Sequence, residues 1–195
     1  YPMPLAETAS IFCETIVRNA VLKNADDDLK LAILENSLQS ATQVIVDIMS
    51  RYIFESEVFK ASADYPLSTG QLNDLMIRAQ KQTYGDALDP DYLHPYMWLN
   101  KTHYYYASRN FYNCPYAFGL LFATGLYAKY TLDTERFVPL YDDMLKATGK
   151  MSIVDVCALM EINPEEEAFW EASLNKIKED IDQFEGIVTS KLTFS

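Results

Sequence analysis

The chain has 195 residues, 49% of them apolar and 13% aromatic, which is the composition of a globular protein with a substantial core and not of a disordered segment. Its 28 acidic residues outnumber 16 basic ones for a net charge of -12, which excludes a nucleic-acid binder, because that affinity comes from clustered lysine and arginine. No charged segment precedes an apolar stretch at the start, and the longest apolar run, residues 118–128, falls far short of the ~20 residues of a membrane helix, so neither a signal peptide nor a membrane partner is expected.

The chain opens on YPMPLAETASIFCETI, without an initiating methionine, and two prolines lead into a helix that carries Glu7 and Glu14. Seven residues apart, these carboxylates fall on nearly the same helix face and are available to one site. Near a helix start, Glu7 is also favoured by the helix dipole, by ~0.3–1 kcal/mol. Asp26, Asp27 and Asp28 open a long helix expected from residue 26 to about 61. Its stripe of Leu31, Leu34, Leu38, Ala41, Ile45, Ile48 and Tyr52 alternates spacings of three and four, the pattern of a face packed in a bundle.

Ser68-x-x-Gln71 has the form of a capping box and predicts a helix ending at Tyr84-Gly85. Residues 85–95, with Pro90, Pro95 and several aspartates, read as loop. Helices are then expected from about 115 to 130, from Asp133 to near Gly149, and from Ser152-x-x-Asp155. Asn163-Pro164-Glu165-Glu166-Glu167 supplies a cap, a first-turn proline and dipole-compatible acids for a final helix to about Gly186. Strand alternation, a repeat and a low-complexity linker are all absent from the sequence. The expectation is therefore an all-α, multi-helix, bundle-like fold in a single unit over residues 1–195. Cys13, Cys114 and Cys157, odd in number and without CxxC pairing, read as free, mostly buried thiols of a cytoplasmic protein. Asn100-Lys101-Thr102 matches a glycosylation acceptor but is short enough to arise by chance.

Several chemistries are excluded by motif. GxGxxG, GxxxxGK, GxSxG and HExxH do not occur, no Glu is followed three residues later by His, and His94 and His103 are the only histidines. The unusual segment is residues 92–130, which holds nine of the 14 tyrosines, both histidines and no acid; its only full charges are Lys101, Arg109 and Lys129. Tyrosine hydroxyls on an apolar, anion-free wall can bind an anion or a developing oxyanion. They can also be packing at a core edge, and composition by itself favours that plainer reading.

Glu7 within PLAETAS, followed much later by His103 and the run FYNCPYAFGLLFATGLYA, resembles the C-terminal part of oligoendopeptidase F and its relatives in the thimet-oligopeptidase family of zinc metallopeptidases. The resemblance runs over essentially the whole chain and implies the helical C-terminal portion of a zincin-type (gluzincin) peptidase domain acting on oligopeptides. It implies Zn2+ as cofactor, with Glu7 as third ligand beside two histidines of an HExxH helix. It further implies that His103 and Tyr112 close over the substrate and donate to its carbonyl oxygen, with Tyr116 as the second hydroxyl donor. Glu14 would orient a zinc-bound histidine, Arg109 would take either a substrate carboxylate or a surface role, and Cys114 would be packed, not reactive. HExxH is missing here, and the family places it shortly before the third ligand. The chain is thus expected to begin just after that motif, to be inactive alone, and to self-associate through surfaces left open. A reading from a different class is a non-enzymatic helical module that binds a peptide or protein on its tyrosine-rich face.

Overall fold

Short polar residues cap the starts of α-helices at Asp26, Ser68, Asp133 and Ser152. Asp26 Oδ1 accepts the Leu29 N–H at 2.9 Å and starts α2 (Asp27–Thr42), which follows α1 (Thr8–Leu22). α2 passes through a widened π turn at Gln43–Asp47 into α3 (Ile48–Ala61), so helical backbone runs from Asp27 to Ala61 as the apolar stripe predicts. The slipped ladder at the π turn is not written in that stripe. Ser68 and Gln71 close a reciprocal capping box on α4 (Thr69–Tyr84), and Gly85, at φ 51° and ψ -129°, ends it in a conformation open to glycine. The predicted loop, residues 85–95, contains short 3-10 turns at Gly85–Ala87 and Pro90–Tyr92, and two more follow it at Met97–Asn100 and Thr102–Tyr105.

α5 (Cys114–Leu132) extends slightly beyond the expected span at both ends. Asp133 accepts from the Arg136 N–H to cap α6 (Thr134–Ala147), and Ser152 accepts from the Asp155 N–H to cap α7 (Ile153–Leu159). Asn163 Oδ1 accepts from the Glu165 N–H, but Pro164 and Glu165 form a turn and α8 (Glu167–Thr193) starts only beyond it, which corrects the expected cap at Asn163. The expected stop at Gly186 is not observed: the glycine is helical and exposed, and the residues after it carry no proline or capping signal to break the helix. A helical glycine costs only about 1 kcal/mol relative to alanine.

The computed structural model describes residues 2–193; among them the regular structure is helical and strands are absent, apart from an isolated bridge between Thr148 and Met151. Two compact units are present. One comprises the chain up to Ala41 together with everything from Phe118 onward, and the other is Thr42–Ala117.

The first unit is built around α5. Phe122, Ala123 and Leu126 are fully buried and join Phe12 of α1, Phe137 and Met144 of α6, Val156 and Cys157 of α7 and Met160 beyond it. Phe12 also meets the rings of Tyr130, Phe137 and Tyr141 at 4.8–5.9 Å. Each such side chain contributes about 1.5–3 kcal/mol by leaving water. A polar tie adds to this packing: Arg18 of α1 bonds Ser37 of α2 and pairs with the buried Asp180 of α8 at 2.9 Å.

The second unit has a smaller core of Phe54, Leu75, Met76 and Ala79, covered by Met97, Trp98 and Tyr104 from the loop before α5. Gln80, itself buried, holds that loop by bonding both the carbonyl and the N–H of His94. Trp98 Nε1 donates to Asn73 at 3.0 Å. Cys157 is buried and Cys114 partly so, but Cys13 is exposed, which corrects the expectation for that thiol. Among the described residues, no helix is long and apolar enough to cross a membrane.

Candidate active site

In the second unit, the tyrosine-rich stretch places three of the sequence-predicted residues in one chain of ring contacts. His103 sits in the 3-10 turn Thr102–Tyr105 and is only 9% exposed. Its imidazole lies 4.5 Å from the Tyr104 ring and 5.7 Å from the Tyr112 ring, and the Tyr112 and Tyr116 rings are 6.1 Å apart. Tyr112 lies in the turn before α5, not on the helix, so the pairing of 112 with 116 arises from the turn running into the first turn of α5. Tyr116 is partly exposed at 37%. Arg109 stacks its guanidinium over the rings of Tyr106 and Tyr112, at 5.1 and 5.8 Å.

Burial, with the cations Arg51, Lys101 and Arg109 nearby, holds the His103 imidazole below its ordinary pKa. Lys101 is likewise shifted down, first by burial and then by Arg51. His103 is therefore neutral at pH 7, with one ring N–H to donate. An NMR titration of the imidazole C–H signals is expected to give His103 a pKa below 6.5, and a value at or above that would contradict this electrostatic picture. The sign for stability follows: the unfolded chain binds the proton more readily, so stability falls as pH drops through 6.5 and levels off below the folded-state value.

The aromatic chain rests on a buried polar frame from α3 and the π turn. Asp47, 8% exposed, pairs with Arg51 one turn on and accepts from the Tyr84 hydroxyl at 3.2 Å. Burial, then the Asp47 charge, pushes the Tyr84 phenol up to about 12. Arg51 donates to Asn113 at 3.2 Å, and Glu55 accepts the Phe111 N–H at 2.8 Å. Burial raises the Glu55 carboxyl, opposed by that hydrogen bond. Burial and then Glu55 keep Cys114 protonated, as befits a packed thiol. Asp47, Arg51 and Glu55 carry no functional mark in the sequence, since charged residues four apart on a helix ordinarily mark its solvent face. Their one visible sign is that Asp47 and Arg51 directly precede Ile48 and Tyr52 of the apolar stripe.

Glu7 belongs to the first unit. It is the N-cap of α1, exposed, and its carboxylate and carbonyl both accept from the Ser10 hydroxyl, at 3.2 and 2.9 Å. Its Cβ lies beside α5 at Gly119, where an added methyl would sit 3.9 Å away. Glu14 is also exposed.

No family model matches the chain, and no solved structure matches it. Curated sequences do. The chromosomal and plasmid oligoendopeptidase F of Lactococcus lactis subsp. cremoris are 26% and 27% identical to it over 190 residues, and an oligoendopeptidase F homolog of Lactococcus lactis subsp. lactis (strain IL1403) is 27% identical over 190 residues. In each case the match covers 96% of this chain. The chain is a distant homologue of part of oligoendopeptidase F. It spans 31% of the length of those relatives.

The zinc implied by the resemblance to oligoendopeptidase F tests the donor set of this chain. Among the described residues, no group of three or more His, Cys, Asp or Glu side chains could hold a metal ion. An ion held by these residues alone does not fit: Glu7 offers one exposed carboxylate, and a zinc site needs three or four protein donors.

Proposed function

We propose that this chain is the C-terminal part of the catalytic domain of a cytoplasmic zinc metalloendopeptidase that hydrolyses short oligopeptides. The observation that carries this reading is homology to three oligoendopeptidase F sequences along 96% of the chain. In the intact protein Glu7 is the carboxylate ligand supplied by this piece, and the remaining donors come from outside it. Glu14, exposed on the same helix, is the candidate to orient one of them.

His103, Tyr112 and Tyr116 form the substrate-facing donors in this proposal. A peptide carbonyl oxygen gains negative charge as its carbon becomes tetrahedral, and fixed donors set against an apolar wall stabilise that charge more than they stabilise the ground state. What supports these roles is the ring contact running from His103 through Tyr112 to Tyr116, together with a neutral imidazole able to donate at pH 7. Arg109, stacked on Tyr112 and exposed, is the candidate to receive a substrate carboxylate.

The test is kinetic. In the intact protein, Tyr112→Phe is expected to lower kcat on a quenched oligopeptide by about 10²–10³-fold with KM little changed, the loss typical of one oxyanion donor. Tyr116→Phe assigns the second hydroxyl in the same way. Full activity in both variants would remove the hydroxyl donors from the mechanism.

A further inference from the structure

We propose that Arg51 and Glu55, one turn apart on α3, are positioning residues that clamp Tyr112 by gripping the residues on either side of it. The inference rests on the reading of Tyr112 as a substrate-facing donor. Glu55 Oε1 accepts the backbone N–H of Phe111 at 2.8 Å, and Arg51 Nη1 donates to Asn113 Oδ1 at 3.2 Å.

Phe111 has a φ of 54°, a left-handed conformation that a bulky side chain seldom adopts. Such a residue persists only where its surroundings over-determine it. Here the determinants are the Glu55 acceptor and the rings of Tyr52 and Phe59, at 5.4 and 5.8 Å from the Phe111 ring. Glu55 is 8% exposed, and burying a carboxylate is unfavourable unless it is bonded. A methionine would fill the same space at lower cost, so the acceptor explains the glutamate where packing does not.

On the other side, Arg51 is fixed by its ion pair with Asp47, which the Tyr84 hydroxyl of α4 also holds. Phe111 is thus held by its backbone N–H and Asn113 by its side-chain amide, and these two ties bracket Tyr112 and limit the direction in which its side chain leaves the chain. Sub-ångström placement of such a group matters, since a shift of about 1 Å costs on the order of 10²-fold in rate.

The experiment is a double-mutant cycle in the intact protein on a quenched oligopeptide. Glu55→Met removes the acceptor at similar volume and is expected to lower kcat about tenfold with KM within about twofold, while Glu55→Gln, which keeps an acceptor oxygen, stays within about threefold of wild type. In a Tyr112→Phe background, Glu55→Met is expected to change kcat by less than about twofold, because no hydroxyl remains to position. Should Glu55→Met not fold, Asn113→Ala breaks the other tie from outside the core and is read in the same cycle. An undiminished effect in the Tyr112→Phe background, or no effect on kcat in the Tyr112 background, overturns the clamp. If Tyr112→Phe alone leaves kcat intact, the donor reading is what fails, and the single mutant identifies that case.

Discussion

Gly125→Val is expected to destabilise the protein by about 3 kcal/mol, at the upper end of overpacking costs in a filled core. A Cβ at Gly125 would lie 2.5 and 2.6 Å from the Phe169 ring and 2.7 Å from Ser173 Oγ, both on α8. Neither neighbour can move aside easily. Phe169 is set between Phe122 and Trp170, with ring centroids at 5.7 and 5.0 Å, and Ser173 is fully buried with its hydroxyl bonded to the Phe169 carbonyl. The absent side chain is what lets α5 and α8 approach. Gly186, also helical, has nothing within 4 Å of its added Cβ, so Gly186→Ala is expected to stabilise by about 0.5–1 kcal/mol through backbone entropy alone. Urea denaturation of the two variants separates packing from propensity. A Gly125→Val midpoint equal to wild type would refute the close approach.

The second large effect is at Glu7. In the intact protein, Glu7→Gln is expected to abolish both zinc retention and peptide cleavage while changing the stability of the metal-free protein by no more than about 1 kcal/mol. Glu7 is exposed, fills no core, and contributes to the fold chiefly as a negative charge at the start of α1, worth ~0.3–1 kcal/mol. Gln keeps the shape but is a far poorer donor to a hard or borderline cation. A nearly intact fold that has lost its metal isolates the ligand role from the helix-start role. Glu14→Gln, on the same helix, is expected to show a milder loss, of the size seen when a group orienting a ligand is removed, about 10–100-fold in metal affinity. Unchanged zinc and rate in Glu7→Gln would remove that residue from the site.

The features most legible in the sequence are those written in local chemistry. Ser68, Asp133 and Ser152 each accept the backbone N–H that a helix cap requires at those positions, whereas Asn163 accepts the Glu165 N–H in a turn and α8 begins only at Glu167. The stripe from Leu31 to Tyr52 likewise marks a helix that continues to Ala61 through the slipped ladder at Gln43–Asp47, with Leu34 and Ile48 buried and Tyr52 exposed. What local pattern cannot express is a partner distant along the chain. Glu55 reads as an outward charge until Phe111, 56 residues away, comes to it. Gly125 likewise carries no sign in the sequence that α8 lies against it.

The candidate site divides along the same line. His103, Tyr112 and Tyr116 stand out in an acid-free aromatic stretch, but nearness in sequence does not establish their ring contacts. Residues 103 and 112 meet because the chain turns between them, and the frame beneath that turn comes from α3. The family resemblance supplied roles for these residues that composition alone does not.

The most direct measurement is on the intact, unmutated protein: zinc content by elemental analysis alongside cleavage of a quenched oligopeptide, before chelation, after it, and after zinc is restored. The account predicts about one zinc per chain, cleavage that disappears with the metal, and recovery when zinc returns. Cleavage that survives complete removal of the metal, or a zinc-loaded protein that cleaves no oligopeptide, would contradict it.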